Sequence, residues 1–377
     1  MLNRSWLLLT LLCLLLPAAT AQQAASAAHS ATLAPTAPAQ ATTPKPAATP
    51  LPKPQTPEEF FNRAREFSDL EAAGIPFHLK ATFVASGNAE FTGNGTYEEW
   101  WLSSDKWRKE ATLGNFKYVS IKNADQQVTY TSSSYVPLRV RQAMQYALIR
   151  ILPSAGQTGK VKLKRAKAGP HVLEEVEEKS SCNPAAMSQL TCDMRYEFAE
   201  DGLLRLQHDN SVTMLYNNLQ PLQGRLIPRK ILVATMDHLS LTIDITMLET
   251  PKAIDGSLFD TKIVPAHLKP AIPILEVDIE NPDQHITKLL KDHMVDPQCT
   301  LEPNQQRVDA ALGIVGTIDA TGKLREPYVY ISGGKLLDDA SMQAFRQCRF
   351  QPPLKDGKSV NVETLLGVTS GVPFYIR

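Results

Sequence analysis

The chain has 377 residues, in which 39 lysines and arginines balance 39 aspartates and glutamates. This length is enough for about two domains, each with its own hydrophobic core. Because the formal charges cancel, no global positive field exists to attract nucleic acid or an anionic membrane surface, and both kinds of partner are excluded.

Residues Met1–Ala21 have the features of a secretory signal peptide. Arg4 supplies the positive charge, an apolar run extends from Trp6 to Leu16, and Ala19-Thr20-Ala21 is a small-x-small cleavage site. The apolar run is short for a membrane span. We therefore predict cleavage and export. The alternative is an uncleaved inner-membrane anchor.

Residues 22–56 are rich in Ala, Pro, Thr and Gln and contain almost no bulky apolar side chains. Such a segment cannot bury enough surface to offset its ordering entropy, so we predict a disordered, partly extended linker. A helix should begin where Thr56 can act as N-cap, Pro57 as first residue and Glu59 as the partner in a capping box. Its apolar face should continue to a stop at Gly74.

From Phe77 to about Leu248, alternating apolar and polar residues predict a run of antiparallel strands. A second helix is predicted over Leu138–Leu152. This pattern predicts an α+β fold in which two helices pack on a curved antiparallel sheet.

The segment Gly95–Glu110, which reads as a Gly-x-Tyr hairpin closing on a Lys-Trp-Arg strand, resembles the LolA-like lipoprotein-sorting half-barrel. The resemblance covers residues 57–260. It implies a half-barrel that opens onto an apolar cavity able to hold lipid or acyl chains. The candidate lipid-pocket residues are Phe77, Leu79, Phe83, Tyr97, Trp101 and Trp107. The alternative interpretation of these residues is an ordinary sheet core beneath two helices.

Prolines punctuate residues 261–282, which we interpret as a connector with a strand at Ile274–Ile279. In residues 283–377, a helix, a turn and a final strand follow one another near the end of the chain. These residues resemble the C-terminal domain of the TonB family. The matching residues are Leu337, Asp338, Ala340, Ala344, Arg346, Arg349, Phe350, Pro352, Gly357 and Val360; Cys348 stands where the family has a tryptophan.

The TonB resemblance implies a small α/β-sandwich domain that binds an outer-membrane or other envelope protein, and a periplasmic location. An extended peptide of the partner could pair with the sheet edge from Val360 to Thr369. Energy transduction, which the family name suggests, would require the membrane anchor that cleavage removes.

Four cysteines remain after the predicted cleavage, and an even number in an exported chain indicates disulfides. Cys182 and Cys192 flank one loop and are predicted to pair, as are Cys299 and Cys348 in the C-terminal domain. Metal binding is the alternative, but no histidine stands at zinc spacing beside these thiols.

No catalytic or cofactor-binding motif is found in the sequence. Ser332 and Lys335 match a Ser-x-x-Lys pattern in letters only, since two glycines separate them. His285 and His293 could share a helical face but lack a third ligand. We therefore expect a non-enzymatic envelope protein without cofactor that binds a protein partner. The alternatives are a periplasmic carrier of lipid or lipoprotein acyl chains, and a membrane-anchored energy transducer.

Overall fold

The structure is a computed structural model that describes residues 52–87, 89–150, 152, 161–168, 171–181, 191–209, 211–236, 238–275, 311–369 and 372–375. The predicted signal peptide, almost all of the linker, Cys182, Cys299, His285 and His293 therefore lie outside the described residues. None of the helices in the described part has the length and apolar character needed to span a lipid bilayer.

The first helix, α1 (Pro57–Ser68), begins where the sequence predicts. The Glu59 amide donates to the Thr56 hydroxyl at 3.2 Å, and the Glu59 carboxylate accepts from the Gln55 amide at 2.6 Å. The helix ends at Ser68, earlier than the predicted stop at Gly74. The Arg225 guanidinium stabilises this end, because it donates to the carbonyls of Arg65, Glu66 and Asp69 around the last turn.

Thirteen strands form one antiparallel sheet around α1 and a second helix, α2 (Leu138–Tyr146), and we call this unit the half-barrel. The strands are β1 (Phe77–Ala85), β2 (Gly93–Ser103), β3 (Lys106–Leu113), β4 (Phe116–Asn123), β5 (Gln126–Thr131), β6 (Val161–Ala168), β7 (His171–Ser181), β8 (Thr191–Phe198), β9 (Leu204–Asp209), β10 (Val212–Leu222), β11 (Arg225–Thr235), β12 (His238–Glu249) and β13 (Lys269–Pro270). Across the sheet their order is β13-β5-β4-β3-β2-β1-β12-β11-β10-β9-β8-β7-β6.

The sheet is bent around its helices. Strands β11 and β6 are five places apart in the sheet order and would lie about 24 Å apart if the sheet were flat. Helix α1 has 12 residues and is only about 18 Å long, yet it contacts both strands. The inner face is therefore concave, and the predicted curved antiparallel sheet with two helices is confirmed.

Alternation along β1 decides which residues fill this concave face. Phe77, Leu79, Ala81, Phe83 and Ala85 are all buried, while the residues between them are more exposed. On the neighbouring strand Trp101 stacks on Phe77 with ring centroids 5.7 Å apart. The side chain of Trp100 lies on the opposite, outer face beside a short 3-10 helix (Gly256–Phe259).

Among the residues that the structure describes, the C-terminal domain consists of a five-stranded sheet and one helix. It comprises β14 (Ile274–Leu275), β15 (Ala311–Ile318), β16 (Leu324–Ile331), α3 (Lys335–Gln347), β19 (Asn361–Thr369) and β20 (Val372–Tyr375), with a small hairpin of β17 (Leu354–Lys355) and β18 (Lys358–Ser359). Helix α3 packs on β15 and β16. The core between them contains Leu312, Ile314, Phe345, Phe350, Val360 and Val362.

Strand β19 has partners on both sides, so the predicted free edge at Val360–Thr369 is wrong. On one side β15 pairs along Val362–Thr369. On the other side β14 pairs with Asn361 and Val362, and β20 pairs with Leu366–Thr369. The sequence did not reveal this arrangement because the partner strands are only two and four residues long and carry no alternation of their own.

Candidate functional site

The predicted lipid-pocket residues lie almost entirely in the core of the half-barrel. Phe77, Leu79, Phe83, Tyr97 and Trp101 are between 0% and 5% exposed and belong to one cluster that includes side chains of both helices. A hypothetical Cβ on Gly95 would come within 2.2 Å of the Phe83 ring, which shows how closely this part is packed. The structure brings only the sixth predicted residue, Trp107, to a cavity.

That cavity has a volume of about 1170 Å³ and lies where the half-barrel meets the C-terminal domain. Both parts belong to the same compact unit of the chain, Leu51–Arg377. Its floor is the concave face of β3, β4 and β5, where register places five side chains together. These five are Trp107, Lys109, Tyr118, Gln127 and Thr129.

The other walls come from α2, from the connector and from three strands of the C-terminal domain. Helix α2 and the residues after it contribute Leu138, Arg141, Met144, Gln145, Tyr146 and Arg150. The connector contributes 270–274, and the C-terminal strands contribute Val315, Tyr328, Tyr330, Glu363 and Thr364. The cavity therefore exists only because the C-terminal domain is docked on the half-barrel.

Arg141 joins the two parts at the cavity wall. Its guanidinium donates to Glu363 Oε2 at 2.9 Å and to Thr317 Oγ1 at 3.0 Å, both in the C-terminal domain. Burial lowers the pKa of Arg141, but the Glu363 carboxylate outweighs it, so the pKa lies above its ordinary value. Arginine on the apolar side of a predicted helix is a signal that sequence reasoning could have used to find this contact.

Arg150 and Lys109 converge on Glu99, which is fully buried at the boundary between core and cavity. Arg150 donates to Glu99, to Glu71 at 2.5 Å and to the Met144 carbonyl at 2.7 Å, and Lys109 Nζ lies 3.3 Å from Glu99 Oε1. Burial raises the pKa of Glu99, but the charges of Arg150 and Lys109 prevail and hold it below the ordinary value. The contact with Met144 also explains why α2 stops at Tyr146 and does not reach the predicted Leu152.

Glu326 of β16 caps the start of α2 from the other domain. Its carboxylate accepts from the Leu138 amide and from the Tyr135 hydroxyl, the latter at 2.7 Å. Pro137, the residue at the N-cap position, offers no side-chain acceptor of its own. Burial raises the pKa of Glu326, and these two hydrogen bonds only partly oppose the shift.

Arg325 adds a second contact beside this cap. It makes a two-pronged ion pair with Glu90, at 2.8 and 2.6 Å, and its guanidinium lies 4.9 Å from the centroid of the Tyr135 ring. Asn361 completes the junction by donating to the Ser134 carbonyl at 3.0 Å. Docking thus depends on polar contacts that have no periodic pattern and that the sequence therefore could not reveal.

The TonB-like motif residues mainly shape the C-terminal domain itself. Asp338 is buried and accepts from the Ser332 hydroxyl at 2.6 Å and the Gly333 amide at 2.9 Å, which fixes the turn before α3. The Phe350 amide donates to the Gly322 carbonyl at 2.8 Å. Gly322 has φ +81°, and a Cβ there would lie 1.9 Å from the Phe350 carbonyl oxygen, so only glycine fits.

The remaining motif residues differ in how far they are buried. The side chain of Val360 is buried and that of Ala344 is half-buried, whereas Ala340, Arg346, Arg349, Pro352 and Gly357 are exposed. Leu337 lies in α3, where its backbone alone is described.

The described residues include two of the four cysteines that were predicted to form disulfides. Cys348 is buried in the core of the C-terminal domain and is disulfide-bonded. Cys299 lies outside the described residues, so its pairing with Cys348 stays a prediction. Cys192 lies in β8 while Cys182 lies outside the described residues, and that pairing also stays a prediction.

Comparison with known proteins supports the predicted resemblance at the C-terminal end. Residues 304–369 match the family model of the Gram-negative bacterial TonB protein C-terminal, which confirms the resemblance to the TonB C-terminal domain there. No curated protein matches the chain.

Solved structures resemble the chain over about half its length. One is a LolA superfamily protein from Nitrosomonas europaea, with 10% identity, coverage of 55% of this chain and 99% of that chain, and a TM-score of 0.35. Another is a DUF1329 family protein from Desulfovibrio piger, with 9% identity, coverage of 54% and 96%, and a TM-score of 0.36. Because both TM-scores are low, we base the fold on the order and register of the strands themselves.

Proposed function

We propose that the protein is a non-enzymatic binding protein of the bacterial cell envelope, and that its C-terminal domain binds a protein partner. The observation that supports this proposal is the match of residues 304–369 to the TonB C-terminal family. The matched range includes β15, β16, α3 and β19, the elements that form the body of the domain.

The partner does not meet a free edge at β19, because β19 is paired on both sides. We infer that an extended segment of the partner replaces β20 along Leu366–Thr369. Strand β20 has four residues and forms a hairpin with β19, so removing it breaks few hydrogen bonds. A replacing strand would recover those bonds with its own backbone.

The test is a truncation after Thr369 in the full exported chain. Removing β20 should raise capture of a specific envelope protein from the detergent-solubilised envelope of the native host, measured by quantitative mass spectrometry on immobilised protein. In the matched control, residues 370–377 are replaced by a Gly/Ser sequence of equal length, which also cannot supply β20. Equal capture by wild type and both variants would contradict strand replacement, and no reproducible partner in any of them would contradict the function.

The carrier alternative loses its predicted site, because five of the six candidate residues fill the core. The transducer alternative depends on Met1–Ala21. The intact mass of the native protein decides it: a chain that begins at Gln22 excludes a membrane-anchored transducer, and a chain that retains Met1 in the inner membrane restores it.

A further inference from the structure

The cavity between the half-barrel and the C-terminal domain is large enough for a ligand, and its lining does not include Leu366–Thr369, where the partner would pair with β19. Its volume of about 1170 Å³ is slightly above the range of ordinary small-molecule sites. Its walls combine rings, amides, hydroxyls and aliphatic side chains. The chemistry of those walls restricts what the cavity can bind.

The charged groups of the wall argue against an anionic ligand. Each of the three cations has a carboxylate partner within the protein: Lys109 has Glu99, Arg150 has Glu71 and Glu99, and Arg141 has Glu363. The carboxylate of Asp209 accepts from the Tyr330 hydroxyl at 2.8 Å. An anionic ligand would have to displace one of these partners and leave a buried carboxylate unpaired, which is costly.

The hydroxyl and amide groups of the wall argue against a hydrocarbon chain. Tyr146 and Tyr328 line the cavity, and burial raises the pKa of each, so their hydroxyls remain protonated at neutral pH. Gln127 and Gln145 add amide donors and acceptors. A hydrocarbon chain would take these groups out of water without giving them a hydrogen-bond partner.

The rings of the wall favour a ligand with flat apolar faces. The rings of Trp107, Tyr118, Tyr146 and Tyr328 stack on no other ring among the described residues, in contrast to Trp101 and Trp100. Lys109 Nζ lies over the Trp107 ring, 5.0 Å from its centroid, and so occupies one of its two faces. Ring faces interspersed with hydrogen-bonding groups suit a pyranose, which has C–H faces and hydroxyl edges.

We propose that the cavity between the half-barrel and the C-terminal domain is a binding site for an uncharged oligosaccharide. Trp107 provides a stacking surface on the floor, and Tyr146 and Gln145 provide hydrogen bonds from α2. This proposal does not depend on strand replacement at β19.

The test uses the full exported chain on an array of neutral oligosaccharides, followed by calorimetric titration with N-acetylglucosamine tetramer and cellotetraose. We expect at least one neutral oligosaccharide to bind. Trp107→Ala should weaken its binding about tenfold, the loss expected for one aromatic contact. Tyr146→Phe, which keeps the ring and removes only the hydroxyl, should weaken it about fivefold.

The matched control is Trp100→Ala, because Trp100 is also half-buried but lies on the outer face of the sheet. It should leave saccharide binding unchanged. Three results would overturn the proposal: binding of no neutral oligosaccharide, binding only of palmitate or of the anionic polysaccharide heparin, or equal weakening by Trp107→Ala and Trp100→Ala. In the folded variants, circular dichroism spectra should match that of the wild type.

Discussion

The concave face of the half-barrel has two regions that share one sheet but differ in what covers them. Beneath α1 and α2, strands β1 and β2 carry Phe77, Phe83 and Trp101, which fill the space completely. On the same face at β3, β4 and β5, polar and aromatic side chains stand around a cavity. The two regions therefore differ both in their side chains and in their cover, since the docked C-terminal domain closes the hollow region.

The boundary between the two regions is the charge cluster around Glu99. The Glu99 carboxylate is fully buried beside the filled core. It forms ion pairs with Arg150 and Lys109, two cations that line the cavity. Tyr97 donates to the same carboxylate at 2.5 Å from the core side. A fully buried charge is stable here because two hydrogen-bond donors, Tyr97 and Arg150, and the nearby Lys109 cation converge on it.

The largest difference between the regions should appear on truncating one ring in each. Phe77→Ala removes a fully buried ring stacked on Trp101 and should lower the free energy of unfolding by about 3–5 kcal/mol. Trp107→Ala removes a half-buried ring beside existing space and should cost less than about 1 kcal/mol. Denaturant unfolding followed by circular dichroism measures both. Equal costs would mean that the two regions are packed alike.

A smaller effect is expected at the boundary. Glu99→Gln leaves Arg150 without one of its two carboxylates and should cost about 3 kcal/mol at neutral pH. Because the folded pKa of Glu99 lies below the ordinary 4.5, its contribution is complete above pH 4.5 and is lost as pH falls through the folded value. The stability difference between wild type and variant should therefore be constant above pH 4.5 and shrink below it.

The control for this prediction is Glu98→Gln on the outer face. Glu98 is partly exposed and lies 2.7 Å from His78 and 2.9 Å from Lys80, so its loss should cost less than about 1 kcal/mol. A Glu98 variant as unstable as the Glu99 variant would show that burial is not what distinguishes the two carboxylates.

The smallest effect is expected where the C-terminal domain closes the hollow region. Glu326→Ala removes the acceptor for the Leu138 amide and should cost about 1–2 kcal/mol. Glu326→Gln keeps an acceptor and should cost less. Because burial raises the pKa of Glu326, stability that is present below pH 4.5 is lost as pH rises through the folded pKa. The Gln variant does not ionise and should lack this loss, which unfolding at several pH values would show.

Sequence reasoning found the elements whose pattern is local. The Thr56–Glu59 capping box, the alternation along Phe77–Ala85 and the turn at Gly357 are each determined by neighbouring residues, and all three are present. The end of α2 was placed too late, because it depends on Arg150 bonding the Met144 carbonyl. Arg150 is held in place for that contact by its hydrogen bond to Glu99, which lies about fifty residues away along the chain.

Five of the six predicted lipid-pocket residues lie in the packed core, and only Trp107 lines the cavity on the same concave face. Bulky aromatic residues suggested a ligand pocket, yet such residues pack against one another and close the space they share. The hollow region is marked instead by Lys109, Gln127 and Thr129, which a dry core would exclude. The docking of the second domain could not be predicted, since Arg325 and Glu90 are separated by 235 residues.

The connector is a short tether between the two sheets. Lys269–Pro270 is bound into the half-barrel as β13, and Ile274–Leu275 is bound to β19 as β14. Only Ala271, Ile272 and Pro273 lie between them, and three residues span at most about 11 Å. Any swing of the C-terminal domain beyond that reach must first detach one of these two-residue strands, so the tether ties the opening of the cavity to the breaking of a strand pair.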